Sequence, residues 1–229
     1  MRISLRTAGV LGVVLFGCAD ITRITFDLPK QTYSFDTMNW VNLPPAATGL
    51  AFPSIPCGSD MECCTAGALV GLDCNTTPLM CPAGTCEADV PESVSSSINL
   101  AQSVPQLATF PGHSLVKVTI SSISYQVMDN TLNVDLPPMA IYLAPDGITD
   151  AHDPSAMLFG TVPSIPAGTN PAGMVQKAPG ADAVLEMYTK NVSQSFNVIA
   201  TTTVVIAAGT PVPNGQITVT IGGAVSAQL

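Results

Sequence analysis

Charge is the scarcest commodity in this chain of 229 residues: Asp, Glu, Lys and Arg together make up 10% of it, against about 25% in ordinary soluble domains. Cations are rarer still, with 7 Lys and Arg against 16 Asp and Glu, and none falls between Lys30 and Lys117. Nucleic acid and anionic headgroups are both held through clustered Lys and Arg, so neither is an expected partner. Aromatics are equally thin, with one Trp and four Tyr. That argues against the stacking platforms of sugar-binding grooves and, with them, against paired-carboxylate glycosidases.

Two histidines, His113 and His152, are the whole supply of imidazole bases. A Ser or Cys nucleophile needs a base within hydrogen-bond reach and a group to orient that base. Gly112-His113-Ser114 offers adjacent residues that a strand would point to opposite faces, and His152 sits among Asp150, Asp153 and Pro154. No G-x-S-x-G elbow, phosphate-cradling glycine loop, dinucleotide fingerprint or fixed-period repeat is present. The expectation is a protein that is not an enzyme.

Long apolar runs are also missing. The longest uncharged stretch near the start runs from Thr7 to Ala19, short of the roughly 20 apolar residues needed to span a bilayer. It follows Arg2 and Arg6 and ends in Leu15-Phe16-Gly17-Cys18. An ordinary secretory signal ends instead in small residues around an A-x-A-like cut. The segment 1–18 resembles the signal peptide and lipobox of a bacterial lipoprotein precursor. The resemblance implies that residues 1–17 are removed, that Cys18 carries lipid, and that the chain is tethered to an envelope membrane. In such proteins Asp directly after the cysteine favours inner-membrane retention; here Ala19 follows, which tilts the expectation to the outer membrane. Loss of Arg2 and Arg6 takes the formal charge from −9 to −11.

Subtracting Cys18 leaves Cys57, Cys63, Cys64, Cys74, Cys81 and Cys86. An even set inside an exported segment reads as three disulfides. Six cysteines allow fifteen pairings, so connectivity stays open, although adjacent Cys63 and Cys64 are expected to bond to different partners. The rival, zinc, wants paired knuckles or interleaved histidines, and only Cys81 and Cys86 approach that spacing.

What is abundant is β-forming and turn-forming sequence. Arg23 to Leu28 and Gln31 to Thr37 alternate as two strands broken at Pro29, and 42–56 is a Pro-, Ala- and Gly-rich linker. Residues 18–56 thus form an N-terminal segment, 57–92 an acidic lobe too small to fold without its disulfides, and 93–229 the body. In the body Val116, Val118 and Ile120 give way to Ile123, Tyr125 and Val127, a phase slip that marks a bulge or a bend between sheets. Asp129-Asn130 predicts a turn into a strand at Leu132, Val134 and Leu136. Met139 to Leu143, apolar on both faces, predicts a central strand; Met157 to Val162, Phe196 to Ile206 and Gln216 to Ile221 predict more. Asp182 is placed to cap a short helix ending near Lys190.

The fold expected is all-β: an antiparallel β-sandwich of Ig-like or Greek-key type with about eight short strands, a small disulfide-rich insertion and at most one short helix. The immunoglobulin pattern of cysteines bracketing a tryptophan is absent, since Trp40 precedes the cluster. Asp146, Asp150 and Asp153 share one loop and are the candidate metal ligands, for Ca²⁺, set against a merely solvated acidic loop; no other cofactor is expected. The function expected is that of a membrane-anchored envelope lipoprotein with a structural, adhesive or binding role towards an envelope protein or polymer. A Ca²⁺- or ligand-binding module is the alternative, and a secreted hydrolase the third reading.

Overall fold

A computed structural model describes residues 23–37, 51–52, 54–69, 74–75, 78–104 and 117–228. Cys18, Trp40, His113 and Val116, with most of the linker 42–56, lie outside them. In chain order the strands are β1 (Arg23–Asp36), β2 (Leu79–Met80), β3 (Glu87–Ile98), β4 (Lys117–Met128) and β5 (Met139–Pro145), followed by β6 (Met157–Val162), β7 (Ala172–Met174), β8 (Gln176–Lys177), β9 (Phe196–Ile206) and β10 (Gln216–Gln228). They form two sheets, one ordered β1-β10-β4-β7 and the other β2-β3-β9-β5-β6-β8, every pairing antiparallel. The chain is an all-β antiparallel sandwich, as its alternation predicts.

Alternation drives the arrangement. Along β10, Ile217, Val219, Ile221 and Val225 are buried, and along β4 Val118 and Ile120, then Ile123, Tyr125 and Val127. The phase slip is a bulge: Val225 pairs with Ile120 and Ala224 with Ser122, so Ser121 has no opposite number and the strand stays in its sheet. Met139–Pro145 is central, flanked by β9 and β6. The inner faces of both sheets meet in one core that contains Phe35, Ile141, Leu185, Phe196 and Ile217. Each such side chain, fully buried, contributes roughly 1.5–3 kcal/mol.

Several expectations need correction. Pro29 does not divide two strands: Leu28 pairs with Gly223 and Gln31 with Ile221, so Pro29 and Lys30 are absorbed as a bulge within β1. β1 is an edge strand, where a missing N–H costs little. Leu132 to Leu136 is not a strand but a loop with a lone bridge between Leu136 and Ile165. The loop's amides find separate partners instead of a ladder: Leu132 N donates to Asn130 Oδ1, Asn133 N to Asn214 O and Leu136 N to Ile165 O, while buried Asn130 Nδ2 donates to Pro166 O and Thr169 O on the neighbouring loop.

Nor is there at most one helix. Among the described residues there are three short α-helices: α1 (Asp60–Leu69), α2 (Leu100–Ser103) and α3 (Ala181–Thr189). In α3 the residue at the N-cap is Gly180, at φ 82°, not Asp182. Asp182 Oδ1 instead accepts from Ile120 N at 2.8 Å and from Lys177 Nζ at 3.3 Å, fastening the helix to β4.

The expected lobe boundary at Glu92 falls inside β3, which pairs with β9 from Ala88 to Ile98. The cystine lobe therefore runs directly into the larger sheet.

Candidate functional site

The six cysteines form three disulfides, Cys57–Cys81, Cys63–Cys86 and Cys64–Cys74. Cys63 and Cys64 take different partners, as adjacency predicts. Cys63 and Cys86 are 0% and 1% exposed and belong to the main core. Around them Cys57 N donates to Gly84 O, and Cys86 N to Ile55 O.

Two acidic residues of the lobe are occupied at the start of α1. Asp60 Oδ1 accepts from Cys81 N at 2.7 Å and Glu62 Oε2 from Gly58 N at 2.6 Å. Carboxylates also suit the positive end of a helix. Among the described residues, the one group of three potential metal ligands within 4.8 Å of each other is the Sγ atoms of Cys57, Cys63 and Cys81. All three are in disulfides, and metal ligation requires thiolate.

Asp146, Asp150 and Asp153 lie on the loop after β5, and each turns to its own neighbour. Asp146 Oδ1 accepts from Ser97 Oγ at 3.4 Å. Asp150 Oδ1 accepts from His152 N at 2.8 Å and lies 3.1 Å from His152 Nδ1. Asp153 Oδ1 accepts from Ser155 N at 2.8 Å and from its hydroxyl. The backbone N–H of His152, then its ring, holds the Asp150 carboxyl below the usual carboxylate range. For Asp153 the Ser155 hydroxyl leads and the Ser155 N–H follows. The structure does not gather these oxygens into one cluster.

His152 has a side chain 90% exposed and faces Asp150. No hydroxyl or thiol stands among its hydrogen-bond partners, so the described residues assemble no nucleophile and base around it.

Two ionisable groups with no role in the sequence-based candidate sites are withdrawn from water in the sandwich. Glu92 lies on the same face of β3 as buried Ala88, Val90 and Ile98, while Pro91, Ser93, Ser95 and Ser97 face outwards. Burial pushes its carboxyl up to about 7. Tyr33 is 2% exposed and its phenol is pushed above its ordinary range by burial; its hydroxyl has no partner among the described residues. The alternation of β3 carried the Glu92 signal, since position 92 continues the apolar face begun at Ala88.

Between the sheets lies a small cavity of about 40 Å³ lined almost wholly by apolar side chains, among them Leu28, Ile98, Ile141, Leu185 and Phe196. Its polar lining is too sparse to hold water well.

No protein-family model and no curated protein matches the chain. Among solved structures, the chain is similar to one from Desmodium yellow mottle tymovirus, with 12% identity over all of this chain and 92% of that one and a TM-score of 0.25. A chain from turnip yellow mosaic virus matches at 11% identity, 99% and 90% coverage and a TM-score of 0.27. One from mud crab tombus-like virus matches at 9%, 100% and 92%, with a TM-score of 0.30. Superpositions this loose carry no inference about the role of this chain.

Proposed function

We propose that this chain is a bacterial envelope lipoprotein, tethered through lipid on Cys18, whose β-sandwich has a structural, adhesive or binding role and no catalytic one. The observation that carries the reading is the cysteine count. Six of the seven cysteines pair among themselves, which leaves Cys18, at the end of Leu15-Phe16-Gly17-Cys18, as the one outside the disulfide set. The three disulfides fit an oxidising compartment. Among the described residues no helix is long and apolar enough to cross a membrane, so membrane attachment would fall to the lipid. One acyl chain binds only marginally, and stable anchoring takes more than one.

The non-catalytic part of the reading is supported by the exposed position of His152 and the local engagement of Asp150 and Asp153.

Intact-mass spectrometry of the membrane-extracted protein tests the tether. The expected mass is that of a chain starting at Cys18, plus acyl groups, minus the hydrogens of six thiols. A chain that retains residues 1–17, or a Cys18 without lipid, overturns the proposal. Cys18→Ala is expected to move the protein out of the membrane fraction.

A further inference from the structure

β9 is paired unequally on its two sides. On the β3 side the ladder continues to its last residue, where Ala88 faces Ile206. On the β5 side it stops where Ala140 faces Thr201. The reason lies in the sequence before β5: Pro137 and Pro138 have no N–H to donate. Thr202 Oγ1 donates to both of their carbonyls, at 3.4 and 3.3 Å, and closes that end.

Past this point Thr203–Ile206 has an edge that no described residue pairs with, as no other backbone hydrogen bond reaches it. In an antiparallel strand alternate residues aim N–H and C=O to opposite sides, so part of this segment's backbone points away from β3.

A groove of about 490 Å³ opens along that edge, lined also by Asn133–Asp135, Pro137, Thr210, Pro211 and Pro213, and Asn133 ties its two loops together by donating to Val212 O and accepting from Asn214 N. Val204 and Ile206 are only 4% and 1% exposed, main chain included. The open backbone belongs to Val205 and Thr203: Asp89 N donates to Pro78 O on the far side of β3, so Val205 opposite it, and Thr203 opposite Pro91, turn N–H and C=O away from β3. Val205, 51% exposed, adds an apolar contact. The volume falls within the range of built ligand sites. A free strand edge in a groove is the arrangement that receives an added strand, with main-chain bonds supplying affinity and flanking side chains supplying selectivity.

Charge selects the occupant. Asp135 is the charged residue of the lining, and no Lys or Arg lines the groove. One of its oxygens accepts from Ala167 N at 2.8 Å, which leaves the other for a cation. A second copy of the chain, with a formal charge of −9, would bring like charge to this rim. We propose that the Thr203–Ile206 edge of β9 is a docking slot for an extended peptide segment of a partner protein carrying a basic side chain. The slot goes beyond the tether and does not depend on lipid at Cys18, so either reading can fail alone.

The test titrates the isotope-labelled full chain with the blocked hexapeptide Val-Thr-Val-Lys-Val-Thr, with the same peptide N-methylated at alternate residues, and with a Glu-for-Lys version. The expected amide shifts centre on Thr203–Ile206, Asn133–Asp135 and Thr210–Val212. N-methylation should weaken binding about tenfold, the loss of one or two net hydrogen bonds. Replacing Lys by Glu should weaken it about 2–5-fold, as an exposed ion pair allows. Asp135→Asn, which keeps the acceptor for Ala167 N, should abolish that discrimination. No shifts at millimolar peptide, binding indifferent to N-methylation, or concentration-dependent self-association at these amides without peptide would each overturn the proposal.

Discussion

Replacing Glu92 with Gln should stabilise the protein at alkaline pH and leave it nearly unchanged in acid. Glu92 lies half-buried on the core-facing side of β3, and desolvation lifts its carboxyl from the ordinary 4.5 to about 7. An unfolded chain releases this proton near the ordinary value, the native chain only near 7. Between the two the native state binds more protons, so stability falls as pH rises through that window. Below it the buried group is neutral in both states and burial has no electrostatic cost. Above it the full cost is present. At ~1.4 kcal/mol per pH unit the displacement corresponds to roughly 3 kcal/mol at most. The residue keeps some contact with water, and solvent screening brings the expected gain to ~1–2 kcal/mol. For a domain of this size that is about 3–6 °C in Tm. Thermal or urea unfolding of both proteins at pH 4 and pH 8 isolates the effect, because every other titrating group is common to both. A Glu92→Gln variant that is equally stable or less stable at pH 8, or that differs by the same amount at both pH values, would refute the reasoning.

Other perturbations follow from single contacts. Tyr33→Phe deletes a buried hydroxyl that has no partner among the described residues, and should raise stability by about 1 kcal/mol in urea denaturation. Gly215 sits at φ 114°, and a Cβ there would come within 2.3 Å of Thr131 O. Gly215→Ala should therefore cost about 3 kcal/mol or more, read as a lowered Tm. Replacing both Cys63 and Cys86 with Ala opens a loop whose ends are 23 residues apart and should cost ~3 kcal/mol from chain entropy alone. In the intact protein this buried bond should be the last of the three reduced, as followed by peptide mapping after timed alkylation.

The fold was legible wherever one face of a strand meets water. Val118 to Val127 and Ile217 to Ile221 alternate because the pleat puts successive side chains on opposite faces, and even the bulge at Ser121 is written as a phase slip. Legibility failed where backbone groups find partners other than a ladder. Leu132, Val134 and Leu136 have the alternation of a strand, yet the amides of Leu132, Asn133 and Leu136 go one each to Asn130 Oδ1, Asn214 O and Ile165 O, three separate segments instead of one neighbouring strand. Pro29 failed in the opposite direction, since its missing donor matters only if the chain has a partner on that side, and edge position is a property of the sheet. The helix at Asp60–Leu69 has almost no amphipathic pattern; its place is set by disulfides at Cys63 and Cys64 and by Cys81 N reaching back to Asp60.

The candidate sites divide along the same line between local and nonlocal causes. The parity of the cysteines was readable, their pairing was not, because a disulfide joins residues by position in space and six thiols are combinatorially alike. The carboxylates Asp150 and Asp153 carried a readable sign that works against convergence. Each is followed two residues on by a group whose N–H it accepts, His152 and Ser155, the spacing of an Asx turn. A carboxylate engaged by its own backbone is turned inwards on its loop, so even spacing along the chain says little about a shared cation. The β9 edge is the nonlocal counterpart. Its chemistry depends on Pro137 and Pro138 ending a ladder with Thr201, residues more than sixty positions away, and no pattern within Thr203–Ile206 announces that its backbone is open.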